Sequence, residues 1–189
     1  DLFDVGQALA TQPLPDTDTV AVVTNAGGAG VMAADAIADS RLSLAAIEGG
    51  LRETLADRLP PQVTVGNPLD IVGDAGVDRF RAALEPLLAA ERVGAVVVLS
   101  CPTTVFSFDD LASAVADLVA DRSKPVAVCL MGGETADRAA DRLEARGIPN
   151  YFDPARAVNS LAALAEYRDV RAREYEAPTT FAVDHDAAV

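Results

Sequence analysis

Lysine is almost missing from this chain: Lys124 is the only one in 189 residues. The 15 basic residues face 29 acidic ones, a net charge of −14. A surface of that sign repels nucleic acid and anionic membranes, so neither is expected as a partner. Tryptophan is absent, and six Phe and three Tyr leave little to stack a flavin ring. No apolar run approaches the roughly 20 residues of a membrane span, and no basic-then-apolar leader opens the chain. A cytoplasmic protein is expected. The single histidine, His185, lies between Asp184 and Asp186 in an aperiodic acidic stretch and reads as a solvated tail residue. Neither a metal site nor a catalytic side chain is expected. Only two cysteines occur, Cys101 and Cys129, both in apolar strand-like surroundings that suit reduced, buried thiols. Cys101 as a thiol nucleophile would need a base, and no histidine stands outside the tail.

What remains is apolar enough to fold: half the residues are hydrophobic, and the length suits one compact domain. The Asp-rich, Lys-poor composition is the kind a protein carries in a high-salt cytoplasm, where screening removes self-repulsion. An ordinary acidic protein from a GC-rich genome is the alternative.

Residues 1–19 read as the end of a helix followed by a Pro-containing linker, as though cut from something longer. Strands are then expected near Val20–Thr24, Ser43–Ala46, Gly94–Ser100, Pro125–Met131 and Pro149–Phe152. Helices are expected near Ala29–Asp39, Leu51–Arg58, Val77–Ala90, Phe108–Asp121, Glu134–Arg146 and Pro154–Arg171. Periodicity is lost over 174–189, a linker or tail. Alternating strands and helices with near-continuous apolar strands, such as Ala95–Leu99, predict an α/β fold with a doubly wound parallel sheet. Ligands in such folds bind beyond the carboxyl ends of the strands, in the βα turns.

The first of those turns is the most informative. A β-branched run ending at Thr24-Asn25 empties into Ala26-Gly27-Gly28-Ala29-Gly30 and then into an Ala-rich helix. Glycines at Gly27, Gly28 and Gly30 permit a sharp turn and a close approach, and the free N–H groups of a helix start favour an anion. The other reading is that they serve only the turn and helix packing. Ser100-Cys-Pro-Thr-Thr104 follows the third strong strand, and Ser100, Thr103 and Thr104 read as helix caps or as a second anion cradle facing the first. The segment Asn67-Pro68-Leu69-Asp70 is a third candidate. Pro68 biases Asn67 to an extended shape, and Asp70, between Leu69 and Ile71, is drawn towards burial, where it must bind backbone N–H groups or a ligand.

Taken in order, Thr24-Asn-Ala-Gly-Gly-Ala-Gly-Val31 with Asp35, Asn67-Pro-Leu-Asp-Ile-Val-Gly-Asp-Ala75, Lys124-Pro-Val-Ala-Val-Cys-Leu-Met-Gly132, Gly147-Ile-Pro-Asn-Tyr151 and Pro154-Ala-Arg-Ala157 resemble the NDP-forming acyl-CoA synthetases. The likeness is to the second flavodoxin-like ligase domain of ADP-forming acetate–CoA ligases, similar to the carboxyl-terminal domain of the succinyl-CoA synthetase β subunit. It spans nearly the whole chain, with 20–173 as the ligase domain. The resemblance implies part of an enzyme that interconverts an acid such as acetate, CoA and ATP with acyl-CoA, ADP and phosphate, through an acyl phosphate and a phosphohistidine. The histidine, the CoA-binding domain and the ATP-grasp unit would lie elsewhere. CoA, ATP or ADP and Mg would then belong to the complete enzyme, with none bound by this domain alone. By resemblance, Thr24, Asn25, Gly27, Gly28 and Gly30 would line the phosphoryl site, Asn67, Pro68 and Asp70 would support it, and Ser100, Thr103 and Thr104 would open a second helix. Two departures stand out. Ala29 occupies a position often taken by proline, and the Ser100–Thr104 turn lacks the paired glycines of the succinyl-CoA relatives. An acyl-CoA-sensing or docking module, such as one fused to an acetyltransferase, is the competing reading.

Overall fold

The computed structural model describes residues 2–120 and 123–174. Its order is α1 (Leu2–Thr11), β1 (Thr19–Thr24), α2 (Gly27–Ala38), β2 (Ser43–Leu44), α3 (Gly50–Arg58), β3 (Leu69–Asp70), α4 (Val77–Ala89), β4 (Ala95–Ser100), α5 (Phe108–Val119), β5 (Val126–Leu130), α6 (Glu134–Glu144) and α7 (Pro154–Ala172). Every strand pairing is parallel. The sheet runs β2-β1-β4-β5, with β3 also on β1.

The central strands are apolar throughout because both sheet faces are covered. All of β4 and β5 is buried, and so is β1 from Val20 onward. Period-two alternation divides them: Ala21, Val23, Val96, Val98, Val126 and Val128 join a core beneath α3–α6. Val20, Val22, Val97, Leu99, Ala127 and Cys129 join a second core beneath α1, α2 and α7. Helices on both faces of a parallel sheet make the doubly wound architecture expected from the sequence.

One edge of β1 is shared by two short strands. Thr19 and Val20 pair with Ser43 and Leu44, whereas Val23 and Thr24 pair with Leu69 and Asp70. The Asn67 carboxamide fills the gap: Oδ1 accepts from Val22 N–H at 2.9 Å, and Nδ2 donates to the carbonyls of Val20 (2.8 Å) and Ala45 (3.0 Å). An amide side chain thus replaces a stretch of strand backbone, which is why the expected strand at Ser43–Ala46 shortens and an unexpected one appears at Leu69–Asp70. A similar substitution ends the far side. The expected strand Pro149–Phe152 is a single bridge, Asn150 to Val128, and Asn150 Oδ1 accepts the next N–H, that of Leu130, at 3.1 Å. Asp153 then caps α7 with Pro154 in its first turn, leaving no room for more strand.

The segment before β1 is fastened along α7. Asp4 takes a two-pronged hydrogen bond from Arg156 (2.6 and 2.5 Å), Ala8 is buried, and Arg168 donates to the Pro15 carbonyl at 3.1 Å and pairs with Asp18. The Arg156 hydrogen bond holds the Asp4 carboxyl below the ordinary carboxylate range. The tail beyond Glu174, with His185, and the last residue of the helix expected to end at Asp121 lie outside the described residues.

Candidate anion site at the carboxyl edge of the sheet

Where β1 leaves the sheet, its side chains are spent on shaping the turn. Thr24 is fully buried, its Oγ1 3.0 Å from both the N–H and the carbonyl of Ala26. Asn25 is also buried and grips one residue of the neighbouring β4–α5 loop from both sides. Its Oδ1 accepts from Cys101 N–H at 2.9 Å, and its Nδ2 donates to the Cys101 carbonyl at 3.1 Å. The two βα turns are therefore held in fixed relation, and neither side chain is left over for a ligand. What this turn can offer is backbone.

That backbone is open. α2 starts at Gly27, two residues earlier than expected, so two of the glycines form its first turn. The cap position falls on Ala26, which has no side-chain oxygen to offer. Ala29 and Gly30 N–H both return to the Ala26 carbonyl, while the exposed N–H groups of Gly27 and Gly28 have no acceptor among the described residues. α2 is the only described helix with neither an acidic residue in its first turn nor a side-chain cap. A helix start in that condition presents donors and the positive end of its dipole to an arriving anion.

Each glycine here has its own reason, and left-handed backbone is not among them: positive φ occurs at Gly49 and Gly147 instead. A Cβ on Gly30 would lie 3.1 Å from Thr24 Cγ2 and 3.2 Å from Pro68 Cβ, so this residue lets α2 settle on β1 and on Pro68. A Cβ on Gly27 would lie 2.9 Å from Asp70 Oδ2. Gly28 faces open space. Asp70 therefore flanks the helix mouth. Its Oδ1 accepts from Val72 N–H at 2.9 Å, a bond within its own loop, and its Oδ2 lies towards Gly27.

Sequence reasoning missed the next part of that loop. Val72 has φ of 70°, a left-handed conformation unfavourable for a β-branched residue. It is held there by Asp70 on one side and Arg79 on the other, whose Nη1 donates to the Ile71 carbonyl at 2.9 Å and to Asp74 at 2.5 Å. The Arg79 hydrogen bond lowers the Asp74 carboxyl below its usual range. Nothing in Asp70-Ile-Val-Gly-Asp74 marks Val72 as the residue bent this way.

The second expected helix start is corrected. Ser100 ends β4 and is buried, Thr103 Oγ1 accepts from Val105 N–H within a local turn, and Thr104 is exposed. None of the three opens α5. Its cap is Ser107, whose Oγ accepts from Asp110 N–H (3.2 Å) and donates to Asp110 Oδ2 (2.7 Å). The Ser107-x-x-Asp110 pattern was the signal available in the sequence. Asp109 and Asp110 place negative charge where an anion would sit. A cavity of about 250 Å³ lies between α5 and α6, lined by Phe106, Phe108, Thr135 and Arg138 among others. Cys101 is a free thiol whose pKa burial raises, the opposite of what an activated nucleophile requires; burial pushes Cys129 up to about 12. Among the described residues no group of three His, Cys, Asp or Glu side chains is placed to hold a metal, and no helix is long and apolar enough to cross a membrane.

Known proteins resemble this chain over most of its length. The Ligase-CoA domain family matches residues 20–176. The chain is 36% identical over 174 residues to an ADP-forming acetate–CoA ligase I of Archaeoglobus fulgidus, covering 92% of this chain and 24% of that protein. It is 35% identical over 178 residues to the α subunit of ADP-forming acetate–CoA ligase I of Pyrococcus furiosus, covering 92% of this chain and 38% of that one. A solved acetyl-coenzyme A synthetase 1 of Candidatus Korarchaeum cryptofilum, in complex with phosphate and ADP, superposes with a TM-score of 0.83 at 32% identity, covering 90% of this chain and 37% of that chain. This chain thus spans between 24% and 38% of the length of these relatives. With a doubly wound parallel sheet and a match over most of its length, the chain belongs to the Ligase-CoA domain family.

Proposed function

We propose that this chain is the second ligase domain of an ADP-forming acyl-CoA synthetase, which interconverts an acid, CoA and ATP with acyl-CoA, ADP and phosphate. Its part is to hold the phosphoryl group, on a histidine or on the acyl group, at the N-terminus of α2. The observation that carries this reading is that α2 alone among the described helices begins uncapped and without acid, at Gly27-Gly28. N–H donors fixed in advance stabilise charge on a transferring phosphoryl group without reorganising during the reaction. The named relatives are ligases, which favours this over an acyl-CoA sensor.

The partners on this reading are a CoA-binding domain, a domain bearing the phosphorylated histidine and an ATP-grasp unit. CoA, nucleotide and Mg are held by those parts. Residues 20–173 form the ligase domain, with 1–19 as its lead-in and 174–189 as a linker or tail. The chain alone is inactive, working as a component of a cytoplasmic enzyme adapted to high salt. Its thermal stability should rise from about 0.1 M towards molar KCl, a range over which screening shortens to a few Å. A melting temperature flat or falling across that range would remove the salt adaptation.

Gly28→Val tests the central claim in the complete enzyme. The added side chain projects into open space at the helix mouth, so the fold and CoA binding are retained. Loss of productive phosphoryl contact is worth about 3 kcal/mol, on the order of a hundredfold in rate. Normal phosphoenzyme formation and turnover in the folded variant would reduce the turn to a packing device.

A further inference from the structure

Sulfur is scarce in this chain, two cysteines and two methionines, yet three of its four sulfur atoms fall in one place. Ser100 stands opposite Leu130 in the β4–β5 pairing, and its carbonyl accepts from Met131 N–H at 2.9 Å. The register therefore runs one residue past the strand ends and sets Cys101 beside Met131. Cys129 lies opposite Leu99 on the face that α2 and α7 cover, and side-chain alternation returns Cys101 and Met131 to that face. Met131 packs against the same core as Cys129. After burial itself, the charges of Asp153 and Cys101 raise the Cys129 thiol, which puts the two thiols within electrostatic reach of each other. Cys129 is buried, whereas Cys101 and Met131 are half-buried among the described residues, so the three sulfurs lead inward from the carboxyl edge of the sheet. Directly opposite side chains in a sheet stand about 5 Å apart and diagonal neighbours about 7–8 Å. Cys101 and Cys129 are diagonal neighbours, beyond the α-carbon separation of about 7 Å that a disulfide tolerates.

We propose that Cys101, Cys129 and Met131 form a binding site for one soft, thiophilic cation, Cu(I) being the biological ion of that class. Thiolate and thioether sulfur select Cu(I). Structural Zn(II) takes four nitrogen, sulfur or carboxylate donors, and among the described residues no trio of His, Cys, Asp and Glu is placed to supply them. Binding forms one metal–sulfur bond at each cysteine and releases that thiol's proton to solvent. The Met131 thioether binds without losing a proton, and no electron is transferred. Asn25 holds Cys101 by its backbone N–H and carbonyl, which leaves the thiol free to turn towards an ion while the clamp stays made.

The test uses the 189-residue chain under argon, with Cu(I) supplied from a chromophoric Cu(I) chelator of known affinity and the methionine methyl groups followed by NMR. One ion should bind per chain, and the Met131 methyl signal should shift while that of Met32 stays in place. Cys129→Ala should weaken binding more than about a hundredfold, because even an outer partner of a metal ligand is worth roughly 10–100-fold. Met131→Leu keeps the side-chain volume and hence the fold, and should weaken binding about tenfold. An unmoved Met131 signal at saturation would overturn the site. Cu(I) affinity unchanged in either folded variant would overturn it as well, since sulfur there would then be apolar filling alone. Loss of binding in His185→Ala would give the ion to that histidine and overturn the proposal.

Discussion

Two helices start within a few residues of each other's turns at the same edge of the sheet, and they begin in opposite ways. α5 is closed: Ser107 caps it, Asp110 answers Ser107, and Asp109 adds a second negative charge. α2 is open: alanine stands at the cap, glycines follow, and no acid appears in the first turn. The Asn25–Cys101 clamp joins their two turns, so the difference is not one of position or disorder. A helix start is stabilised by a side-chain cap, typically by about 1 kcal/mol, and α2 forgoes it. The domain thus forgoes that stabilisation at α2, where two donors stay open, and has it at α5.

Reversing that difference gives the largest effect. Ala26→Asp installs the missing cap on α2 and should raise the stability of the chain in urea unfolding by about 1 kcal/mol. The same carboxylate occupies the donors, so phosphoenzyme formation in the complete enzyme should fall on the order of a hundredfold. Stability and activity moving up together would erase the contrast between the two helices. Next in size is the clamp. Asn25→Ala strands the N–H and carbonyl of Cys101 and should cost about 2–3 kcal/mol in urea unfolding, whereas a loss under about 0.5 kcal/mol would mean that the turns are independent. Ser107→Ala should cost about 1 kcal/mol and leave phosphoenzyme formation unchanged, because α5 offers nothing to an anion. Slower phosphorylation there would make α5 a second cradle after all. The smallest effect belongs to Asp70→Asn. The amide oxygen can still accept from Val72, but removal of the charge beside Gly27 should cost the helix end about 0.5 kcal/mol and tighten inorganic phosphate binding about twofold, read by NMR titration. Weaker phosphate binding would overturn the reading that the Asp70 charge opposes an anion at the helix mouth.

The sequence announced the α/β architecture and the open helix through features that act locally. Apolar β-branched runs over Val20–Thr24, Ala95–Ser100 and Val126–Leu130 can only be strands buried on both faces, and glycines after the first of them mark a turn. What stayed hidden depends on partners distant in the chain. Leu69–Asp70 is a strand only because β1 offers an unpaired edge beyond β2, and Asn67 and Asn150 replace backbone that no periodicity describes. The Ser107 cap is readable as a motif, but Thr103 and Thr104, nearer β4, offer the same kind of oxygen. At the candidate site, the glycines were legible as a turn, but their separate packing was not: whether one makes room for Asp70, for Pro68 or for nothing depends on which side chains the fold brings alongside.

The fastening of the lead-in along α7 makes the cooperative unit larger than the span of the family match. The family match begins at Val20, yet Ala8 is buried, Asp4 is locked to Arg156 near the start of α7, and Pro15 and Asp18 are held by Arg168 near its end. A gene fragment cut at the family boundary would release that strap and uncover a lengthwise strip of the last helix, including the side chains that Ala8 and Leu14 now cover. Anyone recombining such domains between enzymes should therefore place the seam ahead of residue 2, so that the strap travels with the domain it closes.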